Sequence, residues 1–100
     1  MVDEPLDLRT ARASTFAPHV GSEFRSSDPE AQFLLDDAQE LPSQPGAPRP
    51  EPFSLVFTTD ARLPQRIYSL EHPVVGRLDL FLVPVGPGPD GRLRYEAVFN

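Results

Sequence analysis

Residues 77 to 85 read RLDLFLVPV, a nearly continuous apolar run. Successive side chains of a strand point to opposite faces, so this run has two apolar faces: Leu78, Leu80 and Leu82 on one, and Phe81, Val83 and Val85 on the other. A strand that is apolar on both faces is normally covered on both. The run therefore predicts a central strand, or a strand that meets the core with one face and a partner with the other.

Other strand-like runs surround this one in the second half of the chain. Along each run, inward-facing and outward-facing residues alternate, as in half-buried strands. The residues of the inward face are Phe53, Leu55 and Phe57 in residues 53–59; Tyr68, Leu70 and His72 in residues 66–72; and Leu93, Tyr95, Ala97 and Phe99 in residues 92–100. The turns between them are rich in proline and glycine, as in HPVVG at 72–76 and GPGPDG at 86–91. Such residues favour tight turns, so the second half predicts four short strands joined by turns.

The first half begins with a predicted short helix. Thr10 is a suitable N-cap for a helix over residues 11–17, and Ser14 and Thr15 are alternative caps. Gly21 supplies the positive φ that ends the segment.

Two further strands are predicted after this helix. Phe16 and Val20 are four residues apart and would face the core together, and Phe24 would point inward from a short strand over residues 22–25. Residues 31–41 fit either a strand or a helix, because Asp-Pro-Glu at 28–30 resembles a helix start. We favour the strand.

These elements together predict a mainly β fold. Five to six short strands at roughly ten-residue spacing indicate a small antiparallel β-barrel or sandwich, with the short N-terminal helix over one open end. We expect residues 1–9 to be an acidic tail and residues 10–100 to be a single β domain. We expect residues 42–52 to form an extended proline-rich loop; an SH3- or WW-type ligand is the less favoured interpretation of this segment.

The charge distribution excludes several partners. Residues 1–40 carry nine acidic and three basic side chains, so the whole net charge of −6 belongs to them. This charge disfavours nucleic acid and anionic membrane surfaces. The chain has no cysteine, and its first eleven residues lack the apolar stretch of a secretory signal. We expect a cytoplasmic protein, with export inside a larger assembly left open.

Residues with catalytic or metal-binding chemistry are few. Nothing in the spacing of His19 and His72 brings the two together, and we expect His72 to hydrogen-bond the turn that follows it. Asp36, Asp37 and Glu40 lack the intervening glycine of a calcium loop, so they predict a solvated face. We expect no enzymatic activity, no cofactor and no metal.

The surplus of apolar residues points instead to association. Exposed apolar patches mark surfaces where proteins meet, and the candidate interface residues are Val74, Val75, Phe81, Val83 and Val85. The alternative is that the helix and the proline-rich loop cover these side chains.

Several motifs resemble a known family. The chain ends in YEAVFN at 95–100, contains EPFSLVF at 51–57, YSLEHP at 68–73 and GRLDLFLVPVGP at 76–87, and has a front element Phe-x-x-x-Val-Gly-x-x-Phe formed by Phe16, Val20, Gly21 and Phe24. These resemble a family of small bacterial single-domain proteins of unknown function, over most of residues 14–100 except the loop at 43–50. The family resemblance implies no catalytic residues. It also implies genes placed beside proteins similar to phage tail-collar fibres.

The expected function is therefore that of a non-enzymatic structural or interaction protein, with a role as a component or assembly factor of a tail-fibre-like structure implied by the resemblance. We expect a protein partner or self-association. The alternatives are a small-ligand-binding barrel and, less favoured, an enzyme of unrecognised type; the sequence indicates no particular ligand.

Overall fold

The computed structural model describes residues 7–42, 45–46 and 51–99. Within these residues it has a short helix α1 (Ala13–Phe16), a 3-10 turn (Ala17–His19) and six strands: β1 (Glu23–Ser27), β2 (Glu30–Glu40), β3 (Phe53–Thr59), β4 (Arg66–His72), β5 (Gly76–Pro87) and β6 (Leu93–Phe99). None of the helical segments among them is long and apolar enough to cross a membrane.

The strands close into an antiparallel barrel in the order β1-β2-β3-β6-β5-β4. This confirms the predicted mainly β fold and selects the barrel over the sandwich. Closure depends on a short pairing of β1 with β4, through Arg25↔Glu71 and Ser26↔Leu70. In the ring, β2 and β5 are three strands apart in either direction, so they lie on opposite sides of the barrel.

The interior of the barrel is filled by the inward faces that the alternation predicted. Phe57 on β3 is fully buried, and its ring lies edge-on to those of Phe24 and Phe33, with centroids 5.4 and 6.2 Å away. On β5 the inward face carries Leu80 and Leu82, which are also buried. Aromatic side chains packed this densely contribute most of the apolar burial of a small domain.

The N-terminal helix is present, but its predicted cap and one of its core contacts are wrong. Helix α1 begins at Ala13 and follows Arg12, whose backbone N–H donates to Thr15 Oγ1 at 3.0 Å. The Thr10 hydroxyl instead donates to the carbonyl of Asp7 in a preceding turn. Val20 is 45% exposed, because the segment continues as a 3-10 turn, in which residues four apart do not share a face.

The segment predicted over residues 31–41 is a strand, as favoured, and it spans Glu30–Glu40. Ala31, Phe33 and Leu35 of β2 point into the barrel, and the register then shifts between Leu35 and Asp37. The extra residue of such a bulge changes which side chains face inward. The acidic side chains that follow are therefore exposed on the outer surface, as predicted.

The proline-rich connection between β2 and β3 lies partly outside the described residues, which include neither 43–44 nor 47–50. Its base is closed by the Leu41 N–H, which donates to the carbonyl of Pro52 at 2.9 Å. The two ends of the connection are thus held together by the barrel.

We expect deletion of residues 43–50, joined by a short flexible linker, to change the free energy of unfolding by less than about 1 kcal/mol, because closure entropy varies slowly with loop length. Urea denaturation followed by circular dichroism measures this change. Collapse of the circular dichroism signal would instead show that this segment is needed for the fold.

Candidate functional site

A group of exposed apolar side chains lies on the outside of β4, β5 and β6. Ile67 on β4 and Phe81 on β5 are register partners and are 62% and 51% exposed. Val98 on β6 is 50% exposed. Together with the half-buried Val83, we call these residues the outer apolar face: Ile67, Phe81, Val83 and Val98.

Three of these side chains lie in one row across the outside of the barrel. Ile67 and Phe81 are direct register partners on β4 and β5. The register of β5 with β6 ends at Val83 and Glu96, and beyond it Phe81 and Val98 line the same depression between the two strands. The row therefore crosses three adjacent strands, and that depression separates its members on β5 and β6.

A groove runs along this face between β5 and β6. The β5–β6 register begins only at Val83↔Glu96. The residues that precede Val83 on β5 and those that follow Glu96 on β6 line the groove. Leu8 of the N-terminal segment also contributes. We call this feature the β5–β6 groove, lined by Leu8, Asp79, Leu80, Phe81, Val83, Glu96, Ala97, Val98 and Phe99.

Both charged side chains that line the groove are carboxylates. Asp79 is exposed and accepts a hydrogen bond from Ser69 Oγ at 2.7 Å, and Glu96 is half-buried. The described residues that line it include no lysine or arginine. The groove is therefore lined mainly by apolar residues, together with these two acidic side chains, which we call the rim carboxylates.

The five predicted interface residues do not form one surface. Phe81 and Val83 belong to the outer apolar face, and Val85, which is exposed, follows at the bulge between Pro84 and Gly86. Val74 is 74% exposed, but it lies in the β4–β5 turn at the other end of β5. Val75 is half-buried and packs against the core.

Sequence reasoning missed Ile67 and Val98. The signal was present, because Ile67 alternates with the inward Tyr68 and Val98 with the inward Ala97. Their proximity to Phe81 depends on the pairing of three strands, which the alternation along one strand does not give.

A second cluster is centred on His72 at the end of the barrel. His72 Nδ1 accepts hydrogen bonds from the backbone N–H groups of Val74 and Val75, each at 3.1 Å, so the predicted contact with the turn is confirmed. Ser22 Oγ donates to the carbonyl of His19 and lies 2.9 Å from His72 Nε2. A neutral imidazole with its proton on Nε2 satisfies all of these partners.

The two histidines meet, which corrects the expectation drawn from their spacing. Their ring centroids are 4.9 Å apart, because Gly21 and Ser22 form backbone hydrogen bonds with Leu35 that fix the end of the 3-10 turn beside the barrel. Both nitrogens of His72 are occupied by protein groups. Among the described side chains, no three of the types that bind metals come together.

We expect the protein to become less stable as the pH falls below the usual pKa of histidine. Burial lowers the pKa of His72 from its ordinary value of 6.5, and the nearby His19 lowers it further. The folded protein then binds fewer protons than the unfolded chain, so the stabilisation present above about pH 6.5 is lost as the pH falls through the lowered pKa.

The measurement is the urea midpoint of the wild type and of His72→Asn between about pH 7.5 and about pH 5.5. Asparagine keeps a side-chain oxygen for the turn but does not titrate, so its midpoint should depend less steeply on pH. Equal slopes for the two proteins would contradict the assignment to His72.

The interior of the barrel is occupied by its own side chains. Tyr68 and Tyr95 are buried; the Tyr68 hydroxyl donates to the carbonyl of Pro64, and the Tyr95 hydroxyl accepts the Leu63 N–H at 2.7 Å. These bonds fix the β3–β4 connection to the barrel wall. The hydroxyls of both buried tyrosines are therefore hydrogen-bonded within the barrel, and the exposed apolar side chains of the outer surface are taken as the candidate site.

The fold and its surface thus define a small, closed, six-stranded antiparallel barrel with an apolar groove in its wall. The chain belongs to the family of the domain of unknown function DUF6916, whose model matches residues 11–99. This confirms the resemblance to a small domain family of unassigned function. Comparison with curated proteins and with solved structures gives no match.

Proposed function

We propose that this protein is a non-enzymatic interaction module that binds another protein through its outer apolar face. The supporting observation is the row of exposed apolar side chains formed by Ile67, Phe81 and Val98 on three adjacent strands. Single exposed apolar residues are ordinary on protein surfaces, but contiguous ones on one face are typical of interaction sites.

Covering this row with a partner would remove exposed apolar surface from water and so stabilise a complex. Phe81 and Ile67 leave half or more of their side-chain surface in water. Apolar surface removed from water contributes about 25 cal/mol per Å², and the largest such contributions at interfaces come from aromatic side chains. Phe81 at the centre of the row is the natural anchor.

Photo-crosslinking in the native cell tests this proposal. A benzophenone amino acid in place of Phe81 should give one defined crosslinked protein, identified by mass spectrometry. The matched control carries the same amino acid in place of Gln39, which is exposed on β2 at the opposite side of the barrel. No adduct from position 81, or the same adducts from both positions, would contradict the proposal.

We further propose that the partner belongs to a tail-fibre-like assembly, for which the protein serves as a component or an assembly factor. The support is the family resemblance of the Phe16–Phe24 element and of the C-terminal strand. Light scattering of the protein alone and mixed with a tail-collar-like protein from the same genome should show a complex with their summed mass. If the mixture shows only the two separate masses, the proposal of a tail-fibre-like assembly is rejected, and the proposed docking surface is unaffected.

A further inference from the structure

We infer that the β5–β6 groove binds an extended segment of its partner in which an apolar side chain lies within about two residues of a lysine or arginine. This inference rests on the proposed function and specifies the chemistry of the partner. It is supported by the strand register, by the lining of the groove and by its charge.

The strand register favours an extended segment. β4 pairs with β5 along the whole stretch from Gly76 to Leu82, but the register of β6 with β5 begins only at Val83. Among the described residues, those at 78–82 of β5 have a register partner on β4 only. A strand edge without such a partner offers backbone N–H and C=O groups, and extended peptides commonly bind by pairing with them.

The lining of the groove favours an apolar anchor in that segment. Phe81 and Val98 form its two walls, and the otherwise buried Leu80 and Ala97 contribute to its floor. The groove thus reaches from its exposed walls down to two residues of the buried layer. A side chain of the partner that enters between the walls would bury apolar surface on both sides.

The charge of the groove favours a basic neighbour beside that anchor. Asp79 and Glu96 are its charged lining residues, and an unlike charge at the rim adds attraction and sets the register of the partner. A second copy of this chain is disfavoured, because a two-fold interface brings the same patch of both copies together. Such an interface would place these carboxylates of one copy opposite those of the other.

A peptide library displayed on phage tests the inference with four immobilised proteins. These are the wild type, Phe81→Asp, the double variant Asp79→Asn with Glu96→Gln, and a control double variant, Asp37→Asn with Glu40→Gln. The control removes two exposed carboxylates from β2, on the opposite side of the barrel. Peptides enriched on the wild type are then measured individually for affinity at low and high salt.

We expect the enriched peptides to carry a basic residue within about two positions of an apolar one and to be lost on Phe81→Asp. Neutralising both rim carboxylates should weaken their binding roughly three- to tenfold at low salt, and the control pair should not. Peptides that need Phe81 but lack a basic residue and ignore the rim variant would overturn this inference and leave the proposed function standing. If no peptide distinguishes the wild type from Phe81→Asp, both are overturned.

Discussion

Phe57→Ala is expected to lower the free energy of unfolding by about 3–5 kcal/mol. The Phe57 ring is fully buried and lies edge-on to Phe24 and Phe33, so alanine leaves a cavity at the centre of the barrel. Domains of this size typically have about 5–15 kcal/mol of stability in total. The variant therefore loses a large share of it.

Urea denaturation of the wild type and of Phe57→Ala measures this loss. Phe81→Ala is the matched control, since it removes the same side chain from the outer surface and should change stability by less than about 0.5 kcal/mol. Leu80→Ala, which is buried on β5, should lose about 2–5 kcal/mol. A loss below about 0.5 kcal/mol for both Phe57→Ala and Leu80→Ala would mean that the core is wrongly placed.

An aspartate on β5 is expected to have opposite consequences at two neighbouring positions. Leu82 is fully buried, and an unpaired carboxylate there costs several kcal/mol, roughly the whole stability of a small domain. Val83 faces the outer surface and is half-buried, so Val83→Asp should remain folded while losing the partner.

Circular dichroism and thermal denaturation distinguish the two variants. We expect Leu82→Asp to lack a cooperative unfolding transition and Val83→Asp to retain one. Val85→Asp, which changes an exposed residue beside the bulge, should also fold. If Val83→Asp and Val85→Asp both unfold, the outer side of β5 is part of the core, and the turn at Val74 and Val75 becomes the next candidate surface.

The alternation of apolar residues was sufficient to predict most of the barrel. Phe53, Leu55 and Phe57 on β3 share the buried face that the pattern assigned to them. The start of the helix could not be read in the same way, because Thr10 was an acceptable cap by residue type. In the structure a competing local turn uses its hydroxyl, which donates to the carbonyl of Asp7.

The candidate site was only partly predictable, because it depends on contacts between distant segments. The alternation along β5 gave two apolar faces and named Phe81 and Val83 as interface candidates, without deciding which face is exposed. Their proximity to Ile67 and Val98 depends on the arrangement of three strands. The contact between His19 and His72 likewise arises from backbone pairing of the Gly21 turn with Leu35. No pattern within a single segment contains that information.

The most direct test of the docking surface is a calorimetric titration of the partner identified by crosslinking. The titration compares the wild type, Phe81→Asp and Gln39→Asp, the last of which adds the same charge on the opposite side of the barrel. We expect Phe81→Asp to raise the Kd at least about tenfold and Gln39→Asp to leave it unchanged. A Phe81→Asp protein that is folded and binds the partner as tightly as the wild type would contradict the account.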